Sequence, residues 1–161
     1  MSEAVERTVK SVREKYDPEF AYIYNEWSPW QRLAHPLREA KVALLTTGGV
    51  YLKRWQEPFA DQDPHGDGGF REVPANVESE DLAIAHGHYD HKYADRDINV
   101  VFPLDRLRQL ERDAFIGSVA PLHYTLMGYN TRPYKLLADS ALQMAWRLKM
   151  ANVDAAVLVV V

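Results

Sequence analysis

The stretch KVALLTTGGVYL, residues 41–52, decides the fold that we expect for this chain. Its apolar first half leads into Gly48-Gly49, which is the pattern of a buried strand that enters a turn. A second apolar segment, DAAVLVVV at residues 154–161, shows no polar alternation. Continuous apolar patterns are typical of parallel strands whose two faces are both covered by helices.

Further strand and helix patterns alternate between these two segments. INVVFP at residues 98–103 and FIGSVA at residues 115–120 are strand candidates because they are apolar and partly β-branched. The alternation of strands and helices predicts an α/β fold, a single domain with a mostly parallel sheet flanked by helices.

Two helices are predicted in the same part of the chain. The first starts at Pro103, and its apolar face begins with Leu104. The second is opened by a capping box of Ser140 and Gln143 and ends near Asn152. Both helices have an apolar side that can cover a sheet.

The chain before the first strand is polar. Residues 2–16 are predicted to form an amphipathic helix. Ser28 is the predicted N-cap of a second helix, which Pro36 should kink. We therefore expect an N-terminal helical segment at residues 1–40 and an α/β domain at residues 41–161.

A long loop follows the first strand pattern. Residues 56–80 are rich in Gly, Pro and Asp and lack hydrophobic periodicity, and long loops inside compact domains are commonly functional. Arg71 can clamp a substrate carboxylate through two hydrogen bonds, and Asp67 can pair with a substrate amine or act in catalysis. Glu57 is a further candidate for substrate binding. The alternative is that Asp67 and Arg71 form an ordinary loop ion pair.

Ligands of open α/β sheets bind where loops leave the carboxyl ends of the strands. Three residues at the end of the first strand are candidates to present backbone N–H groups to an anionic substrate: Thr47, Gly48 and Gly49. His123 follows the FIGSVA segment and is placed to protonate a leaving amine as a general acid. The alternative for His123 is a structural histidine packed near Tyr124 and Met127.

The stretch AHGHYDHKYADRDIN, residues 85–99, contains a dense histidine cluster. Its H-x-H-x-D-H spacing matches the zinc-ligand signature of the metallo-β-lactamase superfamily, although the later parts of that pattern are missing. It makes four residues candidate ligands of a divalent metal such as zinc: His86, His88, Asp90 and His91. A mononuclear site completed by Asp97 or His123 is the second interpretation. The third is a polar loop network without metal.

Composition limits the chemistry that this chain can perform. Its 161 residues contain no cysteine, so they offer neither a disulfide nor a thiolate nucleophile. A net charge of −4 provides no basic face for nucleic acid. The N-terminus lacks an apolar signal segment, and the longest apolar run is too short for a bilayer. We therefore expect a cytoplasmic protein without a membrane or nucleic-acid partner.

Six blocks carry a resemblance across about three quarters of the chain: LLTTGGVYLKRWQEPF, GDGGFREVP, HGHYDH, DRDINVVFPLDRLRQL, IGSVAPLHYTLMGY and VDAAVLVVV. In this order they resemble the selenoprotein B family of glycine, sarcosine, betaine and D-proline reductases, particularly its proline-reductase-like members. The resemblance implies reductive cleavage of a carbon–nitrogen bond in a small amino acid or amine. It further implies a selenocysteine or cysteine nucleophile and electrons supplied through thiols.

The sequence departs from the family pattern at Val161. In relatives the last strand leads into the motif with the reactive selenocysteine or cysteine, which we therefore expect beyond Val161. One hypothesis is that the reading frame was terminated at a UGA selenocysteine codon. The rival hypothesis is a natural short paralogue whose missing segment is supplied by a partner chain. In either case, these residues alone lack the redox step.

Three functional hypotheses follow. The first is the N-terminal part of a selenol- or thiol-dependent reductase. The second is a metal-dependent small-molecule enzyme built on His86, His88 and His91. The third is a non-catalytic subunit of the same family. The apolar final strand also predicts that the chain forms a homo-oligomer or binds a partner reductase subunit.

Overall fold

The computed structural model describes residues 3–15, 18–21, 27 and 29–161. It divides into two compact units, residues 1–32 and residues 33–161. The first unit contains helix α1 (Glu3–Lys15), which confirms the amphipathic helix predicted there. Acidic side chains in its first turn and basic side chains in its last turn complement the helix macrodipole.

The second helix predicted in the N-terminal segment is absent from residues 29–36, and this prediction was wrong. Its predicted N-cap, Ser28, lies outside the described residues. Residues 29–36 are exposed and non-helical, and they lead into a single 3-10 turn at Leu37–Glu39. Pro29 and Pro36 leave too short a segment between them to nucleate a helix without burial of an apolar face.

The second unit contains seven strands and two helices among its described residues. The strands are β1 (Lys41–Thr46), β2 (Val50–Leu52), β3 (Phe70–Pro74), β4 (Leu82–Ile84), β5 (Ser118–Val119), β6 (Leu122–Leu126) and β7 (Ala155–Val159). The helices are α2 (Leu104–Arg112) and α3 (Ala141–Met150). A π-helical turn at Leu136–Ser140 leads directly into α3.

Strand β1 is the centre of a five-stranded sheet. It pairs in parallel with β5, β6 and β7, and β3 pairs antiparallel with β6. Because β7 runs along β1 from Val42 to Thr46, β5 and β6 share the other edge of β1. Strands β2 and β4 form a separate antiparallel ribbon. The predicted α/β fold with a mostly parallel sheet is confirmed.

Hydrophobic clusters cover both faces of this sheet. On one face, Val42 and Leu44 of β1 pack with Leu104 and Leu107 of α2. On the other face, Tyr124 and Leu126 of β6 pack against Met144 of α3. The two helices therefore lie on opposite faces of the sheet, as the alternating pattern predicts.

Two local predictions were wrong. Residues 98–103 form no strand. Instead Ile98–Val100 is a 3-10 turn, because the Asp97 side chain accepts a hydrogen bond from the Asn99 backbone and caps the turn.

Ser140 is not an N-cap, because it already has helical dihedrals and its hydroxyl donates to the Gly68 carbonyl, 2.7 Å away. The expected helix end near Asn152 is confirmed, since Asn152 has a φ of 53°.

The final strand is confirmed, but its predicted burial is not. Val157 and Leu158 of β7 are exposed, although β7 pairs with the buried centre strand. Among the described strands, β7 has a partner on one side alone, so it is an edge strand. The described part of the chain contains no helix long and apolar enough to cross a membrane.

Candidate functional site

Three loops meet at the carboxyl edge of the parallel strands. The backbone N–H of Thr47, just after β1, donates to Val159 at the end of β7 over 3.0 Å. Gly49 donates to Leu126 at the end of β6 over 2.8 Å. Gly128, just after β6, donates back to Thr47 over 2.9 Å. This edge is where an open α/β sheet places its ligand.

The histidine loop joins this edge through Gly49. The Ala85 N–H donates to the Gly49 carbonyl over 2.9 Å, directly before His86. Gly49 has a φ of 67°, and a Cβ at this position would lie 2.5 Å from the Ala85 carbonyl oxygen. Glycine is therefore required where the two loops touch.

His86 is buried in the middle of the loop cluster. Its Nε2 accepts from the backbone N–H of Gly128 over 3.1 Å and faces that of Tyr129 at 3.3 Å. Its Nδ1 lies 3.2 Å from the backbone nitrogen of His88. Burial, followed by the neighbouring His88, lowers the pKa of His86. The lowered pKa favours the neutral ring, whose Nε2 accepts from the Gly128 backbone and so holds the loops together.

Tyr89 and His91 hold the histidine loop through hydrogen bonds to backbone carbonyls. The Tyr89 hydroxyl donates to the Gly48 carbonyl over 3.1 Å. Burial, with a smaller contribution from Asp95, raises the pKa of Tyr89 to about 12, so this donor stays protonated. His91 donates from Nε2 to the His86 carbonyl. The loop is thus tied to the end of β1 and to itself.

The part of the cluster that faces solvent is formed by His88 and Tyr129. Their rings are stacked, with centroids 3.7 Å apart and planes 6° from parallel. His88 is exposed and Tyr129 is partly exposed. Thr47 is also partly exposed, and Gly128 lies between Thr47 and His86. We call His88, Tyr129 and Thr47 the edge site. It offers a ring platform, an imidazole and a hydroxyl to a small ligand.

The predicted metal set does not assemble at this site. No group of three or more candidate ligands in the described part of the chain is arranged to hold a metal ion. The Nε2 of His86 is occupied by backbone donors, and Asp90 accepts from the Lys92 backbone in a local turn. Asp97, predicted as an additional ligand, caps the turn at Ile98–Val100. The observed contacts match the third interpretation, a polar loop network.

The predicted anion cradle is present as a turn, but its donors are in use. Thr47 and Gly49 donate to strand carbonyls, and the Gly48 N–H donates to the Thr46 hydroxyl over 3.0 Å. The Thr47 hydroxyl lies 3.0 Å from the Val161 backbone nitrogen. Thr47, Gly48 and Gly49 lie at the carboxyl edge of the sheet, and their role in substrate binding stays a prediction.

Asp67 pairs with Arg71, which lies in strand β3, so the long loop predicted over residues 56–80 is interrupted by a strand. Their side chains are 3.2 Å apart and mostly buried. Arg71 also donates to the carbonyls of Glu57 and Pro58 and lies over the Phe59 ring at 4.1 Å. Burial by itself would raise the pKa of Asp67. Hydrogen bonds from backbone N–H groups and the charge of Arg71 outweigh this effect and lower the pKa. The pair fastens the loop, and its predicted roles in catalysis and substrate binding, like that of Glu57, stay predictions.

His123 lies inside the sheet rather than at its edge. Its Nδ1 accepts from the Leu44 backbone over 2.9 Å, and its ring packs edge-on against Phe102. Burial, with a contribution from Arg108, lowers the pKa of His123 to about 4. Its Nε2 is buried without a hydrogen-bond partner among the described residues. A role as general acid stays a prediction that would require substrate to reach this nitrogen.

Sequence reasoning missed Gly128 and Tyr129. Both follow strand β6, whose pattern LHYTL was not recognised because His123 and Thr125 interrupt its apolar side chains. A signal was available, since Gly128 follows an apolar segment at the end of β6 as Gly48 and Gly49 do after β1.

Comparisons with known proteins show the family of the chain. The family model of glycine/sarcosine/betaine reductase selenoprotein B (GRDB) matches residues 2–161. The chain is 33% identical over 131 residues to the D-proline reductase subunit gamma of Acetoanaerobium sticklandii, covering 80% of this chain and 52% of that protein. It is 31% identical over 157 residues to the glycine reductase complex component B subunit gamma of Symbiobacterium thermophilum, covering 96% of this chain and 36% of that protein.

The matched segment is about half or less of each of these relatives. No solved structure matches the chain. The family match extends over nearly all of its residues, from the N-terminal helix to β7. The chain therefore belongs to the glycine/sarcosine/betaine reductase selenoprotein B family.

Proposed function

We propose that this chain is a component of a reductase complex and holds a small amino acid or amine at the edge site while its carbon–nitrogen bond is reduced. The observation that carries the proposal is the stacked, solvent-facing pair of His88 and Tyr129 at the carboxyl ends of the parallel strands. The names of the relatives, which are glycine, sarcosine, betaine and D-proline reductase subunits, support this substrate class.

The four substrates in those names share a cationic nitrogen and a carboxylate. The π face of an aromatic ring attracts a cationic nitrogen, including a fully methylated one. The platform of His88 and Tyr129 suits that part of the substrate. The Thr47 hydroxyl can donate to the carboxylate.

The proposed reaction requires two electrons and two protons. The carbon–nitrogen bond breaks, the carbon and the nitrogen each take up one hydrogen, and a dithiol is oxidised to a disulfide. His88 is the exposed imidazole of the platform and is our candidate to transfer a proton once the carbon–nitrogen bond has broken. His86 is not a candidate, because it is buried and its Nε2 accepts from the Gly128 backbone.

The nucleophile for this reaction must come from outside these 161 residues, since they contain no cysteine. A selenol, or a thiol whose pKa is lowered by its surroundings, would supply a soft, ionised nucleophile at neutral pH. Thr47 contacts Val161 at the edge site, so a group that enters beside the end of β7 would reach the substrate.

The test is substrate binding measured by calorimetry with glycine, sarcosine, betaine and D-proline. We expect at least one of them to bind and the Tyr129→Ala and His88→Ala variants to weaken its binding at least tenfold. His35→Ala removes an exposed histidine elsewhere and serves as the matched control. Absence of binding by all four compounds, or equal loss in the His35→Ala variant, would contradict the proposal.

Measurement of turnover distinguishes a catalytic subunit from a non-catalytic subunit of the same family. The chain is combined with the other subunits of a D-proline reductase complex and a dithiol, and release of the reduced product is followed. Turnover that is lost in the His88→Ala variant supports a role in the reaction. Binding without turnover under these conditions would favour the non-catalytic subunit.

A further inference from the structure

The segment of residues 57–66 borders the edge site and has no part in the proposed function. A Cβ at Gly87, in the histidine loop, would lie 3.5 Å from the Asp61 carbonyl oxygen. The Tyr129 hydroxyl donates to the Pro64 carbonyl over 3.2 Å. The segment therefore contacts both of the loops that form the ring platform.

The fold holds this segment in place. Phe59 is buried and packs with the residues that directly follow β4 and β6. Arg71 donates to the two backbone carbonyls before Phe59 and lies over its ring. Asp67 accepts from the Ala60 backbone N–H over 3.3 Å. The pair of Asp67 and Arg71 thus fixes the backbone next to Asp61 and sets the position of that residue beside the edge site.

Asp61 brings a negative charge to the histidine loop. Burial and the neighbouring His88 lower the pKa of His86, and the charge of Asp61 acts in the opposite direction. The carboxylates of Asp90 and Asp97 accept hydrogen bonds in their own turns. The partly exposed carboxylate of Asp61, by contrast, makes no hydrogen bond or ion pair with any residue that the structure describes. It is therefore available to a cationic ligand.

We propose that Asp61 is the anionic group of the edge site and binds the protonated nitrogen of the ligand. This inference rests on the proposed function, since it names the residue that selects among the amines held there. A carboxylate accepts charge-assisted hydrogen bonds from the N–H groups of an ammonium or a protonated secondary amine. A fully methylated nitrogen has no N–H group and is attracted by charge alone. Asp61 thus favours ligands whose nitrogen carries hydrogen.

The same charge gives the ligand a direction. Asp61 attracts the nitrogen of an amino acid and repels its carboxylate. The nitrogen then lies on the side of the 57–66 segment, where the rings of His88 and Tyr129 also attract a cation. The ligand carboxylate is directed away from Asp61, and the Thr47 hydroxyl is the donor that the edge site offers to it.

Calorimetry of the wild type and the Asp61→Asn variant tests the proposal. Glycine, sarcosine and D-proline carry hydrogen on the nitrogen, whereas betaine is fully methylated. We expect Asp61→Asn to weaken at least tenfold every N–H compound that the wild type binds, and to weaken betaine binding less than about threefold.

The matched control is Asp63→Asn, which removes the same charge from an exposed residue of the same segment. The Asp63 carboxylate accepts from the His65 backbone over 2.8 Å, and an amide oxygen can keep that bond. This variant should bind each compound as the wild type does. Equal losses in the two variants, or binding of betaine alone by the wild type, would overturn the proposal.

Failure of this inference differs from failure of the proposed function. A wild type that binds none of the four compounds would contradict both. Binding that is weakened by His88→Ala and Tyr129→Ala but unchanged by Asp61→Asn would leave the proposed function standing and overturn the role of Asp61.

The placement of Asp61 has a readout that needs no ligand. The imidazole NMR signals of His86 report its titration. We expect Asp61→Asn to lower the pKa of His86, because a negative charge that favours the protonated ring is removed. Asp63→Asn should change this pKa less. An equal pKa in the wild type and the Asp61→Asn variant would overturn the placement and the proposal with it.

Discussion

His123 shows how one buried side chain replaces a strand hydrogen bond. Its ring nitrogen accepts the Leu44 N–H beside the break between β5 and β6. Because the folded protein holds the pKa of His123 near 4 against an ordinary value of 6.5, the neutral form is favoured on folding. The contribution of neutral His123 to the free energy of unfolding is therefore complete above pH 6.5, and it is lost as the pH falls from 6.5 to 4.

The corresponding prediction concerns His123→Asn, in which the amide oxygen can still accept from Leu44 but does not titrate. The variant should be less stable than the wild type at pH 7, because the smaller side chain leaves space in the core. The difference in unfolding free energy should narrow by about 1.4 kcal/mol per pH unit between pH 6.5 and pH 4. Urea unfolding at pH 7.0 and 5.5 measures this, and a constant difference would contradict it.

Gly49 gives a second prediction at a single residue. Gly49→Ala adds a Cβ in the left-handed region and against the Ala85 carbonyl, so we expect a loss of about 2 kcal/mol or more in unfolding free energy. Gly87→Ala, in the histidine loop that Gly49 contacts, is the matched control. Its Cβ would meet nothing closer than the Asp61 carbonyl at 3.5 Å. Thermal unfolding of both variants decides the point, and equal losses would show that the contact is unimportant.

The chemistry of His86 could not be read from the sequence. The spacing of the histidines located the cluster near the strand ends, and the structure places it there. The groups that occupy its Nε2 belong to Gly128 and Tyr129, more than forty residues along the chain. A ligand motif specifies residue types, whereas the choice between a metal and a backbone donor depends on such distant neighbours.

At the scale of elements, the sequence prediction and the structure differ at the start of α3. A capping box would make Ser140 and Gln143 equally important. In the structure, Ser140 is buried and donates to Gly68, whereas Gln143 bonds Asp139 and Arg147 at the surface. We expect Ser140→Ala to cost about 1 to 2 kcal/mol, because the Gly68 carbonyl loses its donor. Gln143→Ala should cost less than about 0.5 kcal/mol. Chemical denaturation measures the free energy of unfolding of both variants. Similar losses in the two would support the capping box instead.

The strands differ in how far their patterns could be interpreted. β1 and β7 are continuous apolar segments and were predicted. β6 was missed because His123 and Thr125 are polar, although both are fully buried. INVVFP was mistaken for a strand because Val101 and Phe102 are buried core residues that follow a 3-10 turn. Burial without regular pairing produces the same composition as a strand.

At the scale of the whole molecule, the order of strands explains why the loops of the candidate site meet at one edge of the sheet. β1, β6 and β7 point in the same direction, so the residues that follow them meet although they are far apart in sequence. The parallel order itself was predictable from the alternation of strands and helices. The exposed state of β7 was not, because its sequence carries no sign of which neighbour covers it.

The last prediction concerns the independence of the second unit. All three hydrophobic clusters consist of residues from Ala40 onwards, and α1 buries none of its own residues. A variant without residues 1–32 should therefore unfold cooperatively, with a loss of less than about 1 kcal/mol, which corresponds to a shift of about 2 to 4 °C in Tm. The control removes residues 153–161 instead. This deletion takes away β7, the partner of β1 from Val42 to Thr46, and should abolish the cooperative transition. Calorimetry of both deletions measures the effect, and a non-cooperative transition in the first variant would show that the N-terminal unit is part of the stable fold.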